Sequence, residues 1–276
     1  MKTAPDMVIT GGRIVTPSGV VEGDLAIAGG TILSVGDPVD LASAKNVIDA
    51  QEQLVLPGGV DVHCHIEQMS GMGQWNADTF ETATQSAAFG GTTSLISFAA
   101  QAAGERLSDT VENYAARARR GAKVDHAFHI TVTDTSVPDF EAELGALIDA
   151  GHRSIKVFTT YNIQLSDAQI LAVLSQAKAH GALVCVHAEN DAIIARAKAD
   201  LLAKGQTHPR NHALSRPRIA EIEAVERMCR FAEHLDQPVM LFHISTREAV
   251  DVIRTAKARG VPVWAETCPH YLLMTD

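Results

Sequence analysis

The pattern of apolar and polar positions changes once along this chain, near residue 57. Before that point, short runs rich in β-branched residues are interrupted by Gly-Gly, Asp-Pro and Pro-Gly pairs, as in MVITGGRIVTP, DLAIAGGTILSVG and NVIDAQEQLVLPG. Such interruptions are typical of antiparallel strands and hairpins. The pattern therefore predicts that residues 1–56 form a separate β-strand segment.

From residue 57 onward, apolar strand candidates alternate with helical stretches. The strand candidates are GGVDVH, TTSLISF, DHAFHITV, SIKVF, ALVCVH, PVMLFH and VPVWAE. The helical stretches include residues 79–89, 108–120, 166–180, 218–235 and 246–259, with a loop predicted over residues 205–217. Strands that are apolar on both faces are typical of a buried parallel sheet. A TIM-type (β/α)8 barrel is favoured over a doubly wound sheet, because no glycine-rich dinucleotide fingerprint follows any strand.

Composition and charge exclude several classes of partner. The 276 residues carry a net charge of −10 without a basic cluster, so nucleic acid is not an expected partner. No apolar run approaches the ~18 residues of a membrane span, and the N-terminus has no export signal pattern. The cysteines at 64, 185, 229 and 268 match no zinc or redox spacing, which predicts reduced thiols and a cytoplasmic location.

Four of the twelve histidines stand at the ends of predicted strands, namely His63, His65, His187 and His243. The carboxyl ends of barrel strands meet at one mouth, and His63 and His65 point to the same side because they are two residues apart. A single strand-end histidine is readily explained as a core residue, but four of them favour a metal site. Seven of the other eight histidines fit the interpretation as ordinary structural residues. His129 is expected inside a strand, and six are expected in loops or on helices: His126, His152, His180, His208, His212 and His234.

Lys156 is unusual because it lies within the apolar strand SIKVF. A buried ammonium group costs several kcal/mol and tends to become neutral. A neutral amine can take up CO₂ and form a carbamate, an anionic oxygen ligand for divalent metals. The alternative is that Lys156 extends its ammonium group to the rim of the barrel.

Together these residues resemble the amidohydrolase superfamily, and most closely its dihydropyrimidinase/hydantoinase branch. The motif from Asp61 to His65 (DVHCH), Lys156, His187 in VHAEN and His243 in FHIST follow that family in order and strand position. AAFGGTTSLISFA, SIKVFTTYN, HALSRPRIAEIEA and HISTREAVDVI support the resemblance, which runs from about residue 7 to the C-terminus.

The resemblance implies a small sandwich containing residues 1–56 and a barrel domain over residues 57–276. It implies two divalent metal ions, zinc or similar, with His63 and His65 on one, His187 and His243 on the other, and carboxylated Lys156 between them. Tyr161 would donate a hydrogen bond to the substrate carbonyl. The implied activity is attack by a metal-bridged hydroxide on a dihydropyrimidine or hydantoin, giving an N-carbamoyl amino acid, in a homotetramer.

Three alternatives stay open at this point. Dihydroorotases of this family carry an arginine where this chain has Glu67, whose charge would repel a substrate carboxylate. Allantoinases share the AETCPHYL stretch, although Tyr161 in SIKVFTTYN favours the hydantoinase branch; an ordinary barrel-mouth aromatic is the other interpretation of Tyr161. A non-catalytic relative is the third alternative, but such relatives generally lose metal ligands.

The chain departs from the family pattern in one respect. The family's last metal-site residue, an aspartate at the end of barrel strand eight, has no counterpart here, and Asp276 does not stand in that context. We therefore expect about seven of the eight strands, a fragment of a longer chain, and a product that is inactive and tends to self-associate.

Overall fold

The computed structural model describes residues 4–70 and 73–275, so Asp276 lies outside the described residues. The chain divides into two compact units, Met1–Gly59 and Val60–Asp276. This division lies close to the change of hydrophobic pattern near residue 57.

The first unit is a five-stranded sheet. Its strands are β1 (Met7–Thr16), β2 (Gly19–Ala28), β3 (Thr31–Val35), β4 (Asn46–Asp49) and β5 (Leu54–Val55). The order is β3-β2-β1-β4, with β5 also pairing with β1. The β2–β3 turn uses Gly29 and Gly30 at φ +56° and +75°, as a two-residue hairpin requires. The antiparallel strands expected here are present in the pairs β1–β2 and β2–β3, whereas β4 and β5 lie parallel to β1. This long-range pairing is not encoded in the local pattern.

The second unit contains seven strands in a sheet whose order follows the chain. They are β6 (Gly59–Cys64), β7 (Thr92–Ala100), β8 (Asp125–Thr131), β9 (Ser154–Phe158), β10 (Leu183–His187), β11 (Val239–Leu241) and β12 (Val263–Ala265). Strands β7 to β12 pair in parallel. The helices are α1 (Phe80–Phe89), α2 (Leu107–Arg119), α3 (Phe140–Asp149), α4 (Asp167–His180), α5 (Asp191–Ala203), α6 (His212–Ser215), α7 (Arg218–Leu235), α8 (Arg247–Ala258) and α9 (Pro269–Leu273). This arrangement confirms the predicted TIM-type architecture.

Side-chain caps explain why several predicted helices begin where they do. Thr79 and Ser166 form capping boxes at the start of α1 and α4, and the Thr246 side chain accepts a hydrogen bond from the backbone of Ala249 in α8. Two expectations are wrong. The loop over residues 205–217 contains a 3-10 turn and α6, and His126 lies on strand β8 rather than in a loop or helix.

Alternation along the strands separates the core from the interior of the curled sheet. In β9, Ile155 and Val157 are fully buried in the apolar layer that contains the helices. Lys156, between them, is paired in register with Cys185 of β10, which packs with Phe98 and Phe242 in a second, smaller cluster. Lys156 therefore belongs to the interior face. No helix within residues 4–70 and 73–275 is both long and apolar enough to cross a membrane.

Candidate active site

The four histidines predicted at strand ends lie together. The ring centre of His63 is 5.6 Å from that of His65 and 5.6 Å from that of His243, and His187 and His243 are 4.6 Å apart. His187 is the last residue of β10, while His63 is the fifth residue of β6. The common mouth of the parallel strands thus brings together side chains that are distant in sequence.

Three of these rings are oriented through one nitrogen each. His65 Nδ1 lies 2.8 Å from Oε1 of Gln68, His187 Nε2 lies 2.6 Å from Oε2 of Glu189, and His63 Nδ1 contacts Oε1 of Glu266. These oxygens accept, so each bonded ring nitrogen carries the proton and the other nitrogen of a neutral ring presents its lone pair. The bare Nδ1 of His187 lies 3.0 Å from Nε2 of His243. Outer partners of this kind orient metal-binding histidines.

Burial favours the neutral form of His65, His187 and His243. It lowers the pKa of His65 and His187 below the ordinary value. It lowers that of His243 to about 3, with the nearby His187 and Lys156 acting in the same direction. A neutral imidazole is the form that binds metals.

Lys156 is 2% exposed, so the interpretation in which it reaches the rim of the barrel is wrong. Its Nζ lies 4.2 Å from the ring centre of Phe242 and 4.8 Å from that of Phe158. Among the residues that the structure describes, Nζ has no hydrogen-bond partner. Burial lowers the pKa of Lys156 to about 7, which makes the neutral amine accessible near neutral pH.

Tyr161 lies beside the histidines and is 40% exposed. Its ring centre is 5.1 Å from that of His187. Burial raises the pKa of its phenol, with the neighbouring Arg216 opposing that shift. Tyr161 and His243 have φ of +71° and +41°, and such values in residues other than glycine cluster at functional sites.

A hydrogen-bonded chain lies next to the cluster, inside the sheet. His129 Nε2 is 2.8 Å from the carbonyl oxygen of Val62, and its Nδ1 is 2.5 Å from Oγ of Ser154. Ser154 Oγ is in turn 3.4 Å from Sγ of Cys185. A carbonyl only accepts, so Nε2 donates, and a neutral ring then leaves Nδ1 to accept from Ser154. His129 is therefore a satisfied interior residue, as the sequence pattern indicated.

Three residues at the site were not predicted from the sequence, namely Glu189, Arg216 and Glu266. Glu189 and Glu266 stand just after β10 and β12, and carboxylates at the carboxyl ends of barrel strands were a usable signal. Arg216 follows α6 and offered no such signal.

The Glu67 carboxylate is bound by neighbouring groups. It pairs with Arg120 and accepts a hydrogen bond from the backbone N–H of Phe80 at 3.1 Å. The charge on which the exclusion of dihydroorotase rested is therefore compensated.

The four histidine rings lie in a row, in the order His65, His63, His243 and His187. Within residues 4–70 and 73–275, no three His, Cys, Asp or Glu side chains are arranged so that they could hold a metal ion. The donor set nevertheless suits a divalent transition metal, because it combines neutral imidazoles with a buried lysine that lacks a partner among the described residues.

A curled parallel sheet with histidines at the carboxyl ends of its strands indicates a TIM-type barrel whose functional site lies at that end. The Amidohydrolase family model matches residues 54–272 of this chain. The chain therefore belongs to the amidohydrolase family.

Within this family, the chain is similar to proteins named as D-hydantoinases. The chain is 40% identical over 272 residues to a D-hydantoinase of Ralstonia pickettii, covering 98% of this chain and 59% of that protein. A D-hydantoinase of Streptomyces coelicolor is 38% identical over 274 residues, with 97% and 58% covered. This chain thus spans about three-fifths of the length of these curated relatives.

Solved structures of related proteins superpose closely on this chain. A D-hydantoinase structure superposes with a TM-score of 0.93 at 39% identity, covering 98% of this chain and 59% of that one. A dihydropyrimidinase from Brevibacillus agri gives 0.92 at 36% identity, with 97% and 58% covered.

Proposed function

We propose that this chain forms the metal-binding barrel of a cyclic-amide hydrolase that opens a dihydropyrimidine or hydantoin ring to an N-carbamoyl amino acid. The observation that carries the proposal is the cluster of four histidines at the strand ends, beside a buried lysine. The D-hydantoinases and the dihydropyrimidinase named above support the same substrate class.

In this proposal His63 and His65 hold one divalent ion, and His187 and His243 hold the other. The facing Nδ1 of His187 and Nε2 of His243 lie 3.0 Å apart, which is close enough for both nitrogens to bind one ion. Metal ions held there would polarise the amide carbonyl and lower the pKa of water.

Lys156 is proposed to bridge the two ions as a carbamate. The neutral Nζ would form a new N–C bond to the carbon of CO₂ as one C=O π bond opens, and the proton lost from Nζ would pass to solvent, so that a neutral buried amine becomes an anionic carbamate. That anion can be neutralised by two divalent ions. The isolation of Nζ among the described residues and its lowered pKa support this role, because an ammonium paired to a carboxylate would not react.

Tyr161 is proposed to donate its O–H to the substrate carbonyl oxygen as that oxygen becomes negative. A raised pKa keeps the phenol protonated at neutral pH, so it can donate. Loss of one such donor typically lowers kcat by ~10²–10³. Tyr161→Phe should show a loss of that order. For the proton that the leaving ring nitrogen needs, we assign no donor within residues 4–70 and 73–275.

Allantoinase activity and a non-catalytic role are the competing proposals. Relatives named as hydantoinases favour ring opening of hydantoins over allantoin. The presence of all five proposed ligands favours an enzyme over a non-catalytic relative. A homotetramer and a cytoplasmic location, which the family resemblance and the cysteine pattern indicated, stay predictions.

The decisive test is metal analysis of the purified chain, combined with ring-opening assays on hydantoin, dihydrouracil and allantoin. We expect about two bound divalent ions in this chain, whereas turnover of hydantoin or dihydrouracil is expected of a protein that spans the full length of the curated relatives. Turnover of allantoin alone, or a chain that binds no metal, would contradict the proposal.

Lys156→Ala tests the bridge. It should lose bound metal, and short carboxylic acids should restore part of it, since they can replace the missing carbamate. The exposed Lys204→Ala is the matched control and should keep its metal. Full metal content in Lys156→Ala would show that the bridging role is wrong.

A further inference from the structure

Arg216 contacts two separate parts of the candidate site. Its Nη1 donates a hydrogen bond to Oε2 of Glu189, and its Cζ lies 4.8 Å from the ring centre of Tyr161. The Arg216 side chain is 22% exposed and that of Glu189 is 18% exposed. The guanidinium is thus largely enclosed, and its planar face covers an aromatic ring, which an arginine does better than a lysine.

The same Glu189 oxygen also accepts the Nε2–H of His187, at 2.6 Å. The backbone of Glu189 is held independently, because its N–H donates to Oγ1 of the buried Thr159 at 2.9 Å, and its carbonyl accepts from that hydroxyl at 2.8 Å. With the backbone anchored, the direction of the carboxylate depends on its side-chain partners. Among the residues that the structure describes, those hydrogen-bond partners are His187 and Arg216.

We infer that Arg216 is a positioning residue, which holds the Glu189 carboxylate against His187 and supports the Tyr161 ring at the same time. The inference rests on the proposed function, since it assigns His187 to a metal and Tyr161 to the substrate. Through Glu189, the guanidinium sets the tautomer and orientation that present Nδ1 of His187. Through ring contact, it limits the movement of Tyr161, whose backbone is in the left-handed region at φ +71°.

The first experiment compares Arg216→Met with Arg218→Met by Co²⁺ titration of the metal-free, full 276-residue chain. Methionine keeps an apolar stem against Tyr161 but cannot hold Glu189. Partners of this kind typically contribute 10–100-fold to metal affinity, so Arg216→Met should bind Co²⁺ on the order of 10–100-fold more weakly and change its visible spectrum. Arg218 forms an exposed pair with Glu248, and Arg218→Met should match the wild type.

A double-variant comparison separates positioning from a general structural effect. If Arg216 acts through Glu189, then Arg216→Met combined with Glu189→Gln should weaken Co²⁺ binding no more than the stronger single variant. Additive losses would overturn the inference. If Arg216→Met fails to melt cooperatively, Glu189→Gln alone is compared with Arg218→Met, and unchanged Co²⁺ affinity would again overturn it.

The test of Arg216 can fail independently of the test of the proposed ring-opening activity. A protein of the relatives' full length that binds Co²⁺ but opens no ring contradicts the activity, while the Co²⁺ affinities of the 276-residue chain still decide the role of Arg216. An active wild type whose Arg216→Met variant binds Co²⁺ as Arg218→Met does would overturn the role of Arg216 alone. A wild type that binds no Co²⁺ would overturn both.

Discussion

Glu221 connects helix α7 to the segment that follows His243, and its removal should have a measurable cost. Its carboxylate accepts hydrogen bonds from the backbone N–H of Thr246 at 2.9 Å and from the Thr246 hydroxyl at 2.7 Å. It also accepts from the backbone N–H and the hydroxyl of Ser245, at 3.1 Å and 2.7 Å. Thr246 is 6% exposed and caps the N-terminus of helix α8, whereas Ser245 is exposed.

The expected loss in free energy of unfolding depends on which of these donors water can reach. A hydrogen bond to a charged group contributes about 1.5–3 kcal/mol to stability, and a buried donor left without its acceptor costs about 1–3 kcal/mol. The two Thr246 donors therefore account for about 3 kcal/mol, and water replaces most of the contribution from Ser245. Glu221→Ala should lower the free energy of unfolding of the metal-free chain by about 3 kcal/mol. Glu221→Gln should cost less, because it keeps one acceptor oxygen.

Denaturant titration of the metal-free chain measures this change, with Glu226→Ala as the matched control on the same helix. Glu226 pairs with Arg230 on the surface at i,i+4, a contact that contributes ~0.3–0.5 kcal/mol. Because His243 lies two residues before Ser245, Glu221→Ala should also bind Co²⁺ more weakly than Glu226→Ala. If the two variants unfold within 0.5 kcal/mol of each other (roughly the spread of ordinary surface substitutions), the reasoning is refuted.

Two further predictions concern the ligands and the acid stability. His63→Ala and His65→Ala should each sharply lower bound metal, whereas His126→Ala and His234→Ala should not; equal losses in all four, measured by metal analysis, would mean that stability had been mistaken for ligation. Burial raises the pKa of Glu143, but hydrogen bonds from the N-terminus of α2 outweigh it and lower the pKa below 4.5. Its contribution to stability is then present above about pH 4.5 and lost as the pH falls toward the folded-state pKa. The stability difference between wild type and Glu143→Gln should therefore shrink below that pH in denaturant titrations, and a constant difference would contradict it.

Much of the fold could be predicted because its determinants are local. Strand β9 and helix α7 have the predicted bounds, since an apolar run flanked by turn residues and an amphipathic helical stretch are legible in sequence. The parallel pairing of β4 with β1 could not be predicted, because it depends on where a loop returns. Helix α6 was missed because a single turn of four residues leaves no periodic pattern.

The candidate site also contains residues that could be predicted from the sequence and residues that could not. Histidines at strand ends are visible because the topology determines where strand ends go. The contact between Arg216 and Glu189 is not visible, since a loop side chain can reach many places and only the folded chain shows which one it reaches.

The hydrogen-bonded chain from Val62 through His129 and Ser154 to Cys185 has a consequence for protein engineering. It ties strands β6, β8, β9 and β10 together with donors and acceptors in a fixed direction. Removing one interior hydroxyl or imidazole leaves a neighbour unsatisfied, whereas the aliphatic side chains on the opposite faces of these strands tolerate exchange for others of similar volume. Directed evolution of this barrel should therefore find most tolerated substitutions in the loops at its mouth and in its outer apolar layer. The hydrogen-bonded chain inside the sheet should accept few substitutions, and those only in matched pairs.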